Sequence, residues 1–429
     1  MTSATPVAGS AADPNDPAFS AASTEFDWLP DTSDPAFSLK GHYKNLLVRT
    51  KASGIPEDID GDPRQTLVTD LNRIRLSPEF RFNNDGLIHA DIDNELYATN
   101  FVGTRTFDLF WLPSDFNDLF GGSWDESVSG DLLYRLNLHR FYVKTVAGKF
   151  TVTAGRQQIR FGSGRLWNPL DILNPITPTF VEGAEDQKGT DALRVEYYPD
   201  AVTEISVVYA PKRFDDELDA DIFVNRNTNA VCRIRTTRND TDVAVLAGRL
   251  PRRSIGGIDL ASIAADGMLR ASLLYSIPDS AGSYIQAGGG YEYTFANGLY
   301  VLAEYFYNQH ALNQEPELQT AYAQGLISGL NEDRYARLAN QFLTLNRHYA
   351  GIALGFDITP LIRADIFGIA DIDGTGLFLS PALRYNILQD LDLSATVFTG
   401  YVFDGASYPS DFQDTSNHPL IMVSAKWYF

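Results

Sequence analysis

The sequence predicts an all-β fold, a transmembrane, antiparallel, up-and-down β-barrel of about 18 strands. Three observations support this fold class. Many segments alternate apolar with charged residues, as the lipid-facing and lumen-facing sides of a barrel wall do. The connections between these segments alternate between short and long. The final segment, which ends in Trp427-Tyr428-Phe429, keeps the same alternation up to its last residue.

The alternation is ionic on one face of each strand and apolar on the other. Between residues 72 and 82, for example, Arg73 and Arg75 alternate with Ile74 and Leu76. A soluble sheet with this pattern would need a second layer to cover its apolar face, and the chain does not supply one. We therefore expect the apolar face to contact lipid and the charged face to contact a lumen.

Composition argues against two other classes of protein. No segment approaches the run of about 20 apolar residues that a helical membrane span needs. The formal net charge is -21, so a nucleic-acid partner is not expected. Aromatic residues make up 12% of the chain, a balance that suits strands with aromatic girdles at two membrane interfaces.

Turn residues divide the chain into strands. Short connections such as Asn83-Asn84-Asp85-Gly86 and Ala296-Asn297-Gly298 have the composition that tight hairpins need. Residues 102–130 and 213–227 are interpreted as long outer loops. The predicted strands span residues 36–52, 66–82, 87–101, 131–147, 149–162, 188–199, 202–212, 228–238, 241–250, 254–263, 267–277, 283–295, 298–310, 342–356, 361–371, 374–388, 391–404 and 417–429. An even number of strands leaves both termini on the periplasmic side.

The chain is predicted to hold one membrane domain and a short tail. Residues 1–35 are acidic and lack Lys and Arg, which indicates a flexible periplasmic segment. A stopper formed by residues 26–30 is the alternative. Residues 36–429 form the barrel, in which the loop 163–187 is expected to fold inward as a constriction. Residues 311–341 are expected to be a partly helical extracellular loop, because apolar residues recur there at helical spacing.

The strongest local motif is Gly155-Arg156-Gln157-Gln158-Ile159-Arg160-Phe161-Gly162-Ser163-Gly164-Arg165. Its three arginines converge where a strand leaves the membrane, and its glycines allow the next loop to turn back sharply. The motif resembles the Gly-Arg-Gln…Gly…Arg pattern of alginate-export-type and related porin-like outer-membrane barrels of Gram-negative bacteria. This resemblance implies a channel narrowed by folded-in loops, with Arg156, Arg160 and Arg165 as constriction or loop-anchoring residues.

The C-terminal strand predicts contacts outside the barrel. Its alternation directs Trp427 and Phe429 towards lipid, and a terminal Phe on such a strand resembles the signal that the outer-membrane barrel assembly machinery reads. That machinery, outer-membrane lipid and lipopolysaccharide are therefore the expected partners. Small outward residues at Ala287, Gly289 and Ala303 give a weak sign that copies associate into a homo-oligomer.

The charged face predicts the residues that line the pore. Two interpretations remain open for them: ion pairs between neighbouring strands that make the wall rigid, or a transverse field that sorts solutes by charge. Both signs occur on this face, which departs from a purely anion-selective pore. The predicted pore-lining and constriction residues are Arg73, Arg75, Asp91, Asp93, Arg135, Arg156, Arg160, Arg165, Arg194, Arg233, Arg235, Arg363, Asp365 and Arg384.

The predicted function is passive diffusion of small hydrophilic or charged solutes across the outer membrane. No His-Glu-x-x-His or Gly-x-Ser-x-Gly pattern is present, so neither an enzyme nor a cofactor or metal site is expected. Two alternatives remain. One is an alginate-type polysaccharide exporter of an envelope complex, and the other is a closed barrel that acts as a scaffold or surface-binding protein.

Overall fold

The fold is described by a computed structural model. It covers residues 36–51, 66–82, 85–101, 119–173, 189–211, 229–251, 253–279, 282–314, 344–405, 409–412 and 418–429. The predicted tail 1–35 lies outside these residues, as does most of the predicted helical loop 311–341, of which a 3-10 turn at Leu312–Gln314 is described.

The described residues are almost entirely β-structure. The first ten strands are β1 (Phe37–Lys51), β2 (Thr66–Arg81), β3 (Gly86–Thr99), β4 (Ser123–Ser129), β5 (Leu132–Ala147), β6 (Phe150–Gln157), β7 (Thr190–Tyr197), β8 (Thr203–Ala210), β9 (Asn229–Arg238) and β10 (Thr241–Leu250). The others are β11 (Arg253–Ala264), β12 (Gly267–Pro278), β13 (Tyr284–Thr294), β14 (Tyr300–Asn308), β15 (His348–Thr359), β16 (Ile362–Asp371), β17 (Gly376–Leu388), β18 (Leu391–Val402) and β19 (Leu420–Tyr428).

These strands form a closed antiparallel barrel, as the sequence predicts. Each wall strand pairs with its neighbours in chain order, and β19 closes the wall by pairing with β1, where Asn45 lies opposite Ala425. Eighteen strands make up the wall, because β3 pairs directly with β5 and the short β4 is additional to this circuit. Among the described residues, no helix is long and apolar enough to cross a membrane.

The predicted strand 149–162 is too long, because the wall strand β6 ends at Gln157. The alternation of Ile159 and Phe161 with Arg160 continues the pattern of the strand, but these two apolar side chains are buried inside the barrel. The backbone takes positive φ angles at Gly155 (120°) and Gly162 (82°), where glycine permits the departure from the wall.

The short β4 was not predicted, since residues 102–130 were interpreted as a loop. The strand exists because β6 stops early and covers only part of β5. Phe141–Ala147 of β5 pairs with β6, whereas Leu132–Asn137 would be left with free backbone groups on that side. β4 pairs with this part of β5 and satisfies those groups.

The outer surface of the barrel is an apolar belt. Side chains such as Ile258, Val423 and Trp427 point outward and are about half exposed, whereas their neighbours in sequence point inward. An exposed surface this rich in aliphatic and aromatic groups is suited to lipid and poorly suited to water.

The inside of the barrel has two layers. Towards the long connections many inward side chains are apolar, and Leu250, Ile255 and Leu274 belong to one buried cluster there. Towards the short turns the inward side chains are charged, for example Arg233 on β9 and Arg363 on β16. A segment that crosses the lumen lies between the two layers.

Candidate constriction and pore lining

Residues 158–173 form an inward segment inside the barrel. The chain leaves the wall at the end of β6 and contacts the inner surface of strands from β7 to β12. It then reaches β14 and β15 through Trp167. In the circuit of 18 wall strands β15 lies diametrically opposite β6, so the segment spans the lumen. The described part of the predicted constriction loop 163–187, residues 163–173, therefore lies inside the barrel.

Apolar burial holds one side of the inward segment against the wall. Phe161, Leu170 and Leu173 are at most 1% exposed and pack among inward side chains of β7 to β12. Full burial of one such side chain stabilises the packed state by about 1.5–3 kcal/mol. The wall residues of this cluster are Ala192, Val208, Ala210, Val231, Leu246, Leu250, Ile255 and Leu274.

An aromatic cluster holds the far end of the segment. The ring of Trp167 stacks on Phe306, with centroids 5.7 Å apart and planes 7° apart, and Tyr349 lies 6.2 Å away. Phe378 and Phe412 continue this cluster towards β17 and the connection before β19.

Two glycines in the wall make room for the segment. A Cβ atom on Gly257 would lie 2.5 Å from Leu170 Cδ2, and one on Gly351 would lie 2.3 Å from Leu166 Cδ1. Both distances are shorter than van der Waals contact, so a larger residue would force the Leu170 or Leu166 side chain to move. The wall and the segment are therefore shaped to fit each other.

Glu304 on β14 fixes the backbone of the segment. Its carboxylate accepts hydrogen bonds from three successive amides, those of Arg165 (3.2 Å), Leu166 (3.2 Å) and Trp167 (2.8 Å). Hydrogen bonds to an ionised acceptor are stronger than neutral ones, and three of them converge here on a side chain that is 5% exposed.

Glu292 on β13 holds the same part of the inward segment through the side chain of Arg165. It accepts hydrogen bonds from Arg165 Nε at 3.2 Å, from Arg270 and from the Tyr300 hydroxyl at 2.6 Å. This contact suits the anchoring role, one of the two roles that the resemblance implied for Arg165, and that role stays a prediction.

A third carboxylate holds the inward segment at Ser163. Asp259 on β11 accepts hydrogen bonds from the backbone amide (3.1 Å) and the hydroxyl (2.9 Å) of Ser163. Sequence reasoning missed all three carboxylates, Asp259, Glu292 and Glu304. The available signal was an isolated acid at an inward position of an otherwise apolar or glycine-rich strand.

Asp171 is the least satisfied polar group of the segment. It is 3% exposed, and neither carboxylate oxygen has a hydrogen-bond partner among the described residues. The nearest cation is Arg160, whose Nε lies 3.6 Å from Oδ2, too far for a hydrogen bond. Burial raises the pKa of Asp171 to about 7, although the Arg160 charge opposes this rise.

Arg156 does not face the lumen. Its register partner on β5 is Phe141, an outward and half-exposed residue. The guanidinium contacts Asp191 at 3.0 Å and donates to the carbonyl oxygens of Leu138 (2.9 Å) and Phe120 (2.6 Å). Arg156 therefore joins β5, β7 and the residues before β4 where β6 ends, which is an anchoring role and corrects its assignment as pore-lining.

The predicted residues on β2 and β3 form a buried ion-pair network. Arg75 makes a bidentate contact with Asp93 at 2.6 and 2.7 Å, and Arg73 Nε lies 2.5 Å from Glu95. All four side chains are buried. Asp91 accepts a hydrogen bond from Ser77 at 2.6 Å. These groups join neighbouring strands, as the wall-stiffening interpretation expects.

The predicted residues on β7 and β9 are different, because water reaches them. The Arg194 and Arg233 side chains are 24% and 13% exposed, and each lies 3.8 Å from Glu204. The buried Nε atom of each has no hydrogen-bond partner among the described residues. Arg235 also faces inward and contacts Asp242. This group of charges lies on the short-turn side of the inward segment.

A second group of partly exposed charges lines β16 and β17. Arg363 and Arg384 both contact Asp365, at 2.9 Å in each case.

Arg135 on β5 makes a bidentate contact with Asp125 of β4, at 2.6 and 2.7 Å. Among the described residues, no three His, Cys, Asp or Glu side chains are grouped so that they could hold a metal ion.

Comparison with known proteins identifies the fold but neither a family nor a substrate. No family model matches the sequence, and no curated protein matches it. Many solved structures do match, 282 chains in all. The outer membrane protein opdK from Pseudomonas aeruginosa has a TM-score of 0.54 and 8% identity over 92% of this chain and 98% of that chain.

Two further matching structures cover similar shares of the two chains. OccK11 (OpdR) from Pseudomonas aeruginosa has a TM-score of 0.52 and 11% identity, covering 92% of this chain and 96% of that one. A BenF-like porin from Pseudomonas fluorescens Pf-5 has a TM-score of 0.51 and 9% identity, covering 94% and 99%. The chain therefore has the 18-strand barrel fold of outer-membrane porins. The finer resemblance to alginate-export-type barrels is not confirmed and stays a prediction.

Proposed function

We propose that the protein is an outer-membrane channel of a Gram-negative bacterium that admits small hydrophilic or charged solutes by passive diffusion. The single observation that carries the proposal is the inward segment 158–173. It narrows an 18-strand barrel without removing the water-exposed charges of β7, β9, β16 and β17. A barrel of this size is wide enough for an aqueous lumen unless folded-in chain fills it.

Charge inside the lumen favours small solutes over a polymer. Arg194, Arg233 and Glu204 lie within one group, as do Arg363, Arg384 and Asp365. A polyanion passing through would meet fixed carboxylates beside every arginine of these two groups. The mixed lining suits a solute that is small enough to contact one group at a time.

The membrane setting of the proposal has further consequences. The apolar belt would contact outer-membrane lipid and, on the long-loop side, lipopolysaccharide. The short turns and both termini would be periplasmic, and Trp427 and Phe429 would be read by the assembly machinery during insertion. The half-exposed outward position of these two side chains supports such a contact.

A second candidate function is a closed barrel that binds partners through its long loops. The observation in its favour is the apolar packing around Trp167, which brings Phe306, Tyr349 and Phe412 together at the long-loop end of the lumen. This function requires that ions do not pass.

Conductance separates the candidates. Purified protein is inserted into planar bilayers, and single-channel current and reversal potential are measured in a salt gradient. The proposal expects discrete openings with weak ion selectivity. Strong anion selectivity would instead support the polymer exporter, and the absence of current at every potential, with folding verified by heat-modifiable gel migration, would support the closed barrel.

A further inference from the structure

One part of the outer surface is polar where the rest of the belt is apolar. Asn45, Asp70 and Asn72 on β1 and β2 point away from the lumen, since Leu46 and Leu71 between them are buried inside. We refer to these three residues as the outer polar cluster. It lies within the apolar belt, because Asn45 pairs with Ala425, between the lipid-facing Val423 and Trp427 of β19.

The cluster is internally hydrogen-bonded. The Asn45 side-chain amide donates to Asp70 at 2.6 Å and to Asn72 Oδ1 at 3.1 Å, and the Asn72 amide donates to Asp70 at 3.3 Å. The hydroxyl of Tyr43 donates to Asn72 at 2.6 Å. The three residues are thus held in one arrangement with fixed outward-facing polar atoms.

These bonds do not satisfy every polar atom of the cluster. Among the described residues, Asn45 Oδ1, Asp70 Oδ2 and one N–H of Asn72 have no hydrogen-bond partner. Hydrocarbon chains offer no partner either, and polar groups at this depth of a membrane are costly. A second polar surface at the same depth would give these atoms hydrogen-bond partners.

From this geometry we infer that the outer polar cluster is a contact surface for a second copy of this chain. Copies in one membrane are related by an axis along the membrane normal, so each residue meets partner residues of equal depth. Asn45 and Asn72 are register partners and share a depth. A two-fold axis beside them lets the free Asn72 N–H of each copy donate to Asn45 Oδ1 of the other.

Charge complementarity supports the same occupant. Arg49 on β1 points outward and is exposed. Its register partner on β2 is Val68, which lies two residues from Asp70 along that strand. Across the proposed axis, the long Arg49 side chain can reach the unpaired oxygen of Asp70 on the second copy. The same surface thus supplies a donor for each of its own acceptors, as a self-complementary two-fold interface must.

Cysteine cross-linking in isolated outer membranes tests the inference. The natural Cys232, which is exposed, is first replaced in Cys232→Ser. Leu47→Cys then adds a thiol beside the cluster, and Ile258→Cys adds a matched control on β11, on the opposite wall; the native side chains are 43% and 54% exposed. After oxidation, Leu47→Cys should give a band at twice the 47.5 kDa of the chain, at least about fivefold stronger than the control.

A second variant tests whether the polar atoms cause the contact. Replacing all three residues, in Asn45→Leu with Asp70→Leu and Asn72→Leu, makes the surface compatible with lipid, so the barrel still folds while the cross-linked band falls to the level of the Ile258→Cys control. Equal cross-linking of Leu47→Cys and Ile258→Cys overturns the inference, and so does a band only at another mass, which would indicate a different protein. This result does not depend on whether the barrel conducts.

Discussion

The β2–β3 wall and the β7–β9 wall both present arginines to the lumen, yet their contacts differ. On β2 two arginines have an acid directly opposite in register, Arg75 facing Asp93 and Arg73 facing Glu95. On β7 and β9 two arginines have uncharged register partners, Val208 for Arg194 and Ser206 for Arg233, whereas Arg235 lies opposite Glu204. The first wall is consequently closed by buried ion pairs, and the second keeps guanidinium groups accessible to water. An acid opposite in register thus accompanies the buried Arg73 and Arg75, whereas Arg194 and Arg233 lack one and stay partly exposed.

The largest expected effect comes from breaking a buried pair on the first wall. Arg75→Met leaves the Asp93 carboxylate buried without its bidentate partner, and such losses cost about 3–5 kcal/mol in the free energy of unfolding. Urea titration in detergent, followed by heat-modifiable gel migration, measures this change. Arg81→Met is the matched control on the same strand and face. Its contact with Glu79 is partly exposed, so its expected cost is at most about 1 kcal/mol.

An unchanged urea midpoint for Arg75→Met would contradict the assignment of β2 and β3 as a wall held by ion pairs. The same would follow if Arg81→Met cost as much as Arg75→Met.

The second-largest expected effect is a pH-dependent opening of the inward segment, caused by the titration of Asp171. Its folded-state pKa of about 7 lies above its ordinary value of 3.8, so the folded state binds the proton more tightly. The resulting stabilisation is fully present below about pH 4 and is lost as pH rises through about 7. Between pH 6 and pH 8 local opening of the inward segment should increase about tenfold, measured by hydrogen exchange of residues 158–173.

Asp171→Asn removes this titration and should make the exchange of residues 158–173 independent of pH, after correction for the intrinsic rate. A pH dependence that survives in Asp171→Asn would assign it to another group.

Release of the inward segment should change conductance severalfold. Glu304→Ala deprives the amides of Arg165, Leu166 and Trp167 of their acceptor, and unsatisfied buried donors cost about 1–3 kcal/mol each. The segment should then leave the lumen more often, and single-channel conductance should rise. Asp390→Ala, at an exposed short turn, is the control and should conduct as the unmodified protein does. A normal conductance in Glu304→Ala would show that residues 158–173 do not limit the pore.

The smallest expected effect concerns selectivity on the second wall. Arg194→Gln with Arg233→Gln removes two positive charges that water reaches, so the ratio of anion to cation permeability should fall about twofold. Reversal potentials in a KCl gradient measure this ratio. Arg238→Gln is the control, because this residue lies on β9 but on the outward face. A fall of the same size in the control would assign the effect to net charge and not to the lumen.

The fold was predictable from the sequence because the alternation that the barrel requires is visible in each strand. All 18 wall strands were predicted, since apolar residues alternate with polar ones along each of them. β4 was missed because Trp124 and Val128 are its only large apolar residues and its neighbours are charged or polar. The end of β6 was missed because Ile159 and Phe161 keep the same alternation after the chain has left the wall.

The candidate site was only partly predictable. The sequence indicated a loop folded inward and a charged lining, since glycines precede an amphipathic segment and charges alternate along the strands. It could not divide the arginines into anchors and accessible groups, because that depends on cross-strand register. It also could not find Glu304, whose importance arises from three amides that are about 140 residues distant in sequence, a separation that tertiary folding alone brings together.

If solutes pass the arginines of the β7–β9 wall, as we propose, chemical modification of that wall must alter the current during conduction. Arg233→Cys in a Cys232→Ser background is inserted into a planar bilayer and exposed to methanethiosulfonate reagents of either charge. We expect a stepwise conductance change whose direction depends on the charge of the reagent, and no change for the outward Ile234→Cys. Unaltered current through a fully modified Arg233→Cys channel would contradict it.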